Sequence, residues 1–233
     1  MTVAKKLALL VALGACAALP DSAAQAAGTG PAARMPEPRA DRQISPEQQA
    51  TTAYNSGVKQ INKAADYEAD AAKAGSPEKR DKALQKASAS YQKALDYFRD
   101  ATSLSPSMYQ AWNYAGFAER HLGHYDDALN SYAQALRLKP DFVEAIEYRA
   151  EAYLGLNRLD DARQAYMQLF SASRKHADQL LAAMQKFVAV RRTDPAGLQP
   201  QALDEFAKWV QERGAIAQQT ASLDTSTAST SWH

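Results

Sequence analysis

The chain has 233 residues, room for one or two domains. Lys and Arg total 27 and Asp and Glu 26, a net charge of +1, so no strong field draws nucleic acid or an anionic surface. A single cysteine excludes an internal disulfide and leaves packing as the source of stability.

Lys5 and Lys6 precede the apolar run LALLVALGACAAL, and Ala24-Gln25-Ala26 forms an A-x-A cleavage site. The pattern predicts an export signal over 1–26, with a run too short to span a bilayer as a helix. Its removal deletes two Lys and one Asp from the totals and leaves 25 basic and 25 acidic residues. Leu13-Gly14-Ala15-Cys16 resembles a bacterial lipobox, which makes Cys16 a candidate lipidation site. In the competing reading Cys16 is a small apolar residue removed with the signal. Apolar residues that continue to Leu19, and the downstream A-x-A site, favour that second reading.

Residues 27–45 are rich in Gly, Pro and Arg without apolar periodicity and read as a flexible linker. Ser45-Pro46-Glu47 then sets a helix start: cap, proline at the first position, acid in the first turn. Ala50, Tyr54, Gly57, Val58, Ile61 and Ala64 come next at helical spacing, and a second start at Ser76-Pro77-Glu78 leads into Ala87, Tyr91, Ala94, Leu95, Phe98 and Ala101.

A 34-residue register runs from this second helix through the middle of the chain. Ala128, Tyr132, Ala135 and Pro140 shift back by 34 onto Ala94, Phe98, Ala101 and Pro106. Trp112, Gly116, Asp126, Asp127, Ala128 and Tyr132 shift forward onto Ile146, Ala150, Asp160, Asp161, Ala162 and Tyr166. Within one unit Trp112, Ala115 and Gly116 share one helical face and Ala128, Tyr132 and Ala135 another, with Leu122-Gly123 as the turn between them. Small residues let the two helices approach while the rings fill the space beside them. Asp141 with Glu144, and Ser107 with Gln110, have the spacing of capping boxes. A fixed period of this length marks stacked helical hairpins and an all-α fold.

Trp112, Gly116, Ala128, Tyr132, Ala135 and Pro140 resemble the tetratricopeptide repeat (TPR) pattern, although Glu119 stands where that family usually has an aromatic. The resemblance covers 46–175: an extended hairpin at 46–106 and repeats at 107–140 and 141–174. Gly57 and Ala94 are 37 residues apart, against 12 from Gly116 to Ala128. The excess of 25 residues adds about three and a half turns to each of the two hairpin helices. After a break near Ser173, residues 176–219 supply capping helices, the last of them amphipathic through Leu203, Phe206, Trp209 and Val210. Residues 220–233 are Ser/Thr-rich and expected to be disordered.

The resemblance implies a groove lined by the first helix of each unit. Its positions fall on Gln110, Asn113, Phe117 and Arg120, then on Glu144, Glu147 and Glu151, the last three forming one acidic face. The expected partner is a protein or peptide segment with basic or hydrogen-bonding groups. The basic residues with which some TPR domains clamp a C-terminal carboxylate are missing from the matching positions. His121 and His124 are three residues apart but nothing nearby completes a metal site, and they read as a surface pair near a helix end. Asp126-Asp127 and Asp160-Asp161 recur with the period and belong to the scaffold, as acids at helix N-termini. No catalytic motif, cofactor or metal is expected.

The functional expectation is a non-catalytic adaptor of the bacterial cell envelope in the periplasm. Two alternatives stand beside it. One is an outer-membrane lipoprotein of an assembly machine, similar in kind to pilotins and held in the membrane only through Cys16. The other is a regulatory subunit that recruits an envelope enzyme. Intact mass of the mature protein separates the first two: the expected chain begins at Ala27, whereas one beginning at an acylated Cys16 is a tethered lipoprotein.

Overall fold

The computed structural model describes residues 44–227. The export signal with Cys16, nearly all of the linker and the end of the tail lie outside the described residues. Among these there are eight α-helices and no strand. They are α1 (Pro46–Ala72), α2 (Pro77–Leu104), α3 (Tyr109–His121), α4 (Tyr125–Leu138), α5 (Val143–Gly155), α6 (Leu159–Ala172), α7 (Arg174–Thr193) and α8 (Pro200–Thr227).

Consecutive helices pair as antiparallel hairpins. α1 and α2 have 27 and 28 residues where α3 to α6 have 13 or 14. At 1.5 Å per residue that is about 40 Å against about 20 Å. The elongated hairpin predicted from the Gly57–Ala94 spacing is therefore present. Ser76 caps α2 by accepting from the Lys79 amide at 3.4 Å. α3 packs along the hairpin as far as Glu68 and Tyr91, where His121 meets both.

The repeating contact sets ring against glycine. A Cβ built on Gly116 would stand 2.8 Å from the Tyr132 ring, and one on Gly57 would stand 2.6 Å from Phe98. Tyr132, Phe98, Ala128, Ala135, Ala94 and Ala101 are all fully buried. A methyl group at either glycine would drive the helices apart, so the absence of Cβ sets their separation.

The turns inside the two regular hairpins are alike. His124 N–H donates to Glu119 C=O and Gly123 N–H to Arg120 C=O; 34 residues later Arg158 N–H donates to Tyr153 C=O and Asn157 N–H to Leu154 C=O. Both are Schellman ends, which need one residue in the left-handed region. Gly123 adopts φ 80° and Asn157 φ 57°.

The starts of α3 and α5 differ from the sequence expectation. Met108 and Phe142 hold the N-cap positions and neither helix has a side-chain cap, so Ser107–Gln110 and Asp141–Glu144 do not form capping boxes. The cause is a tight turn before each helix. Met108 N–H donates to Ser105 C=O, and Phe142 N–H to Lys139 C=O. Pro106 and Pro140 take the second position of these turns, which pushes Ser107 and Asp141 out of the cap position. Tyr109 and Phe142 then meet edge to face, ring centroids 4.9 Å apart.

The chain breaks at Ser173, extended at φ −157°, and α7 begins at the next residue. α7 and α8 close the stack: Leu180, Leu181, Met184 and Val188 share one core with Leu203, Phe206 and Val210 and with Tyr166 and Leu169 of α6. Arg163 lies over the Phe206 and Trp209 rings, 5.4 and 5.7 Å from their centroids. α8 runs on to Thr227, beyond the boundary expected at 219; Thr220 Oγ1 donates to Ile216 C=O, which suits a threonine inside a helix.

Replacing Gly116 with Val should lower stability by roughly 2–3 kcal/mol, since it would overpack the site against the fully buried Tyr132 ring. Thermal denaturation followed by circular dichroism measures the shift.

Candidate protein-binding groove

First helices of successive hairpins touch: α1 meets α3, α3 meets α5 and α5 meets α7. No comparable contact joins α2 to α4 or α4 to α6. The stack therefore bends toward its first helices, which line the inside of the curve. Of the candidate groove residues, Phe117 and Arg120 of α3 meet Tyr148 and Glu151 of α5, Glu144 and Glu147 approach His176 of α7, Asn113 is buried, and Gln110 has no described contact with this group.

Arg120 is the centre of the layer. Its Nη1 lies 2.6 Å from Glu151 Oε2. Its guanidinium carbon stands 5.2 Å from the centroid of the Phe117 ring and 5.9 Å from that of Tyr148. The two rings meet each other at 5.2 Å and 65°. Burial alone would lower the Arg120 pKa, but the Glu151 carboxylate more than reverses this and keeps the guanidinium charged. The pair ties α3 to α5 across the repeat boundary.

Glu147 is 5% exposed and accepts no hydrogen bond from a described residue. Burial pushes its pKa up to about 8, and the negative charge of Glu151 adds to this against the opposing Arg120. Its Oε2 is 3.9 Å from His176 Nε2, too far for a hydrogen bond. The same ring nitrogen is 4.0 Å from Glu144 Oε1, while Nδ1 is 2.7 Å from Ser173 Oγ. Burial lowers the His176 pKa, with Glu144 acting the other way. At neutral pH His176 and Glu147 are both uncharged, so their approach is not an ion pair. Asn113 is 2% exposed and its Oδ1 has no partner.

The inner layer is therefore not the uniform acidic face that the spacing of Glu144, Glu147 and Glu151 suggests. Glu151 is neutralised by Arg120, Glu147 holds its proton at neutral pH, and Glu144 is the half-exposed carboxylate. His176 and Tyr148 were not legible from the groove pattern. Tyr148 sits one residue off the stripe, and His176 enters only because the one-residue break at Ser173 starts α7 beside α5.

His121 is not a surface residue paired with His124. Its ring stacks on Tyr91 at 4.4 Å and its Nδ1 lies 3.2 Å from Glu68 Oε1. Burial pushes the Glu68 pKa up, and the contacts with His121 reverse this, so the net direction is down. His124 takes the N-cap position of α4, in front of Asp126 and Asp127. Glu119, the departure from the repeat pattern, is buried on the other side of α3. It accepts from Ser131 Oγ at 2.6 Å and from Arg99 at 3.3 Å. Burial raises its pKa. Among the described residues no cluster of His, Cys, Asp and Glu could hold a metal ion, and no helix is long and apolar enough to cross a membrane.

A family model described as tetratricopeptide repeat matches residues 119–187, from the end of α3 to late α7. The comparison with curated proteins found no match to the chain.

Glu147 generates a pH prediction. Its carboxyl titrates near 4.5 in the unfolded chain and at about 8 in the fold. Between those values the native state holds the extra proton, so this residue makes stability fall as pH rises from 4.5 through 8. Glu147→Gln should remove that slope, and its thermal midpoint should gain on the wild type as pH goes from acid to alkaline.

Proposed function

We infer from the repeats, which belong to the tetratricopeptide repeat proteins, that this chain is a protein-binding scaffold, and we propose that it acts as a non-catalytic adaptor of the bacterial cell envelope. The site is the inner layer of α3, α5 and α7, and its occupant is an extended or helical segment of another protein. The observation that carries this is Glu147. A carboxyl this little exposed, with no hydrogen-bond donor in reach, costs stability. Such residues concentrate where a protein binds something.

The chemistry narrows the occupant. A guanidinium of the partner placed between Glu144 and Glu147 meets one carboxylate and one carboxyl, and its charge expels the proton of the second. Phe117 and Tyr148 supply apolar and ring surface beside it, already used once to hold Arg120. The export pattern over 1–26 supports the envelope location. The lipobox around Cys16 supports the second reading, a lipoprotein of an assembly machine with the same groove and a membrane tether.

Peptides selected by display against the whole protein provide the test. For an arginine-bearing peptide, affinity should rise between pH 6.5 and 9, because proton loss from Glu147 leaves the groove more negative while arginine stays charged. Glu147→Gln should flatten that dependence and Glu144→Lys should weaken binding several-fold. Affinity unaffected by either substitution would place the binding surface elsewhere.

A further inference from the structure

We propose that the far end of the α1–α2 hairpin is a second docking site, which takes an acidic segment of a partner protein along a lysine-lined groove. It is separate from the inner layer and does not depend on what that layer binds.

Four observations carry it. First, an open groove of about 500 Å³ lies between the helices at this end, lined by Tyr67, Asp70, Lys73, Lys79, Lys82 and Lys86 among others. Four ammonium groups face one carboxylate. Second, these cations form no ion pair with a described residue. Every ion pair among the described residues draws on an arginine or a histidine, and no lysine takes part. Third, Lys79, Lys82 and Lys86 are spaced three and four apart, so they form one stripe on α2. The stripe is about 10 Å long, with Lys73 across the groove from it. Tyr67 forms part of the floor, with Lys86 and Lys63 over its ring at 5.4 and 5.9 Å. Fourth, the site projects. No ring contact or hydrogen bond of the described residues joins α3 to the hairpin beyond Glu68 and Tyr91, so the groove stands clear of the repeats.

The arrangement favours a polypeptide over a membrane. The lysines start at the tip, where Lys73 and Lys79 flank the Ala74-Gly75 turn, and run back along the hairpin axis to Lys86, so a flat surface touched by the tip would leave Lys86 behind. The tip itself, Ala74-Gly75-Ser76-Pro77, has no large apolar side chain to insert. Leu84 is 46% exposed, but at 100° per residue it lies on the other side of α2 from the lysine stripe. An acidic strand or helix laid in the groove can instead place a carboxylate near each lysine in turn. Such a contact gives register and fast association more than raw affinity.

The test uses the full mature chain and an acetylated hexaglutamate peptide. Carbodiimide coupling followed by mass spectrometry should place the cross-links on Lys73, Lys79, Lys82 and Lys86, and not on Lys139, Lys175 or Lys208. In fluorescence anisotropy, Lys79→Glu/Lys82→Glu should weaken binding by roughly fivefold or more, added salt should weaken it in the wild type, and Glu144→Lys should not weaken it. The charge-neutral Lys79→Gln/Lys82→Gln variant should fall between. All these positions are exposed, and circular dichroism checks that each variant folds. Cross-links spread evenly over the protein, or equal affinity in wild type and double variant, would overturn the proposal. So would preferential capture, through these same lysines, of vesicles rich in phosphatidylglycerol.

Discussion

The structure depends on the distance between paired helices, and that distance is set by rings pressed onto glycine or, in the third hairpin, by a ring at the register of an alanine. Gly57 takes Phe98 and Gly116 takes Tyr132. At the same register in the next hairpin stand Ala150 and Tyr166, both fully buried. Once each hairpin is closed at this spacing, its first helix offers a face to the first helix of the next. The contacts α1 to α3, α3 to α5 and α5 to α7 then curve the stack. The inner layer is a consequence of this packing, which makes it a rigid place to mount polar groups.

That layer holds a buried amide oxygen without a partner, on Asn113, and a carboxyl out of hydrogen-bond reach, on Glu147. Arg120 is held by a carboxylate and two rings, so its charge is satisfied inside the protein. The Asn113 carbonyl is left without a partner, and Glu147 is held well above the usual carboxylate range by burial. A scaffold optimised only for stability would place apolar side chains at both. The hairpin end shows the opposite arrangement: its lysines are exposed and form no ion pair with a described residue. The two surfaces differ in kind, one semi-buried and sensitive to protonation, the other open and sensitive to salt.

The fold was legible because its causes are local and repeated. Ring, small residue and turn recur every 34 residues, and the surplus between Gly57 and Ala94 measured the long hairpin to within about a turn. What failed to read was whatever depends on two elements at once. Capping boxes at Ser107 and Asp141 are correct in spacing, yet the proline turns ahead of them decide where each helix starts. Glu144, Glu147 and Glu151 look alike in sequence. Only their neighbours on α3 and α7 make one exposed, one protonated and one paired. His121 read as surface because Tyr91 and Glu68, which enclose it, come from a different hairpin.

Asn157 is a turn residue by its backbone angle, but its side chain is engaged twice. It donates to the carbonyl of Ala196, 39 residues on, and accepts from Arg191. The α5–α6 turn is thereby stitched to the end of α7 and to the loop that leads into α8. In a linear array the ends melt first, because an end unit has one neighbour instead of two. Here the last two helices cannot peel away without also breaking contacts in the hairpin before them. The C-terminal four helices thus form one cooperative block, and fraying is directed to the other end, where the long hairpin answers only to itself and to α3.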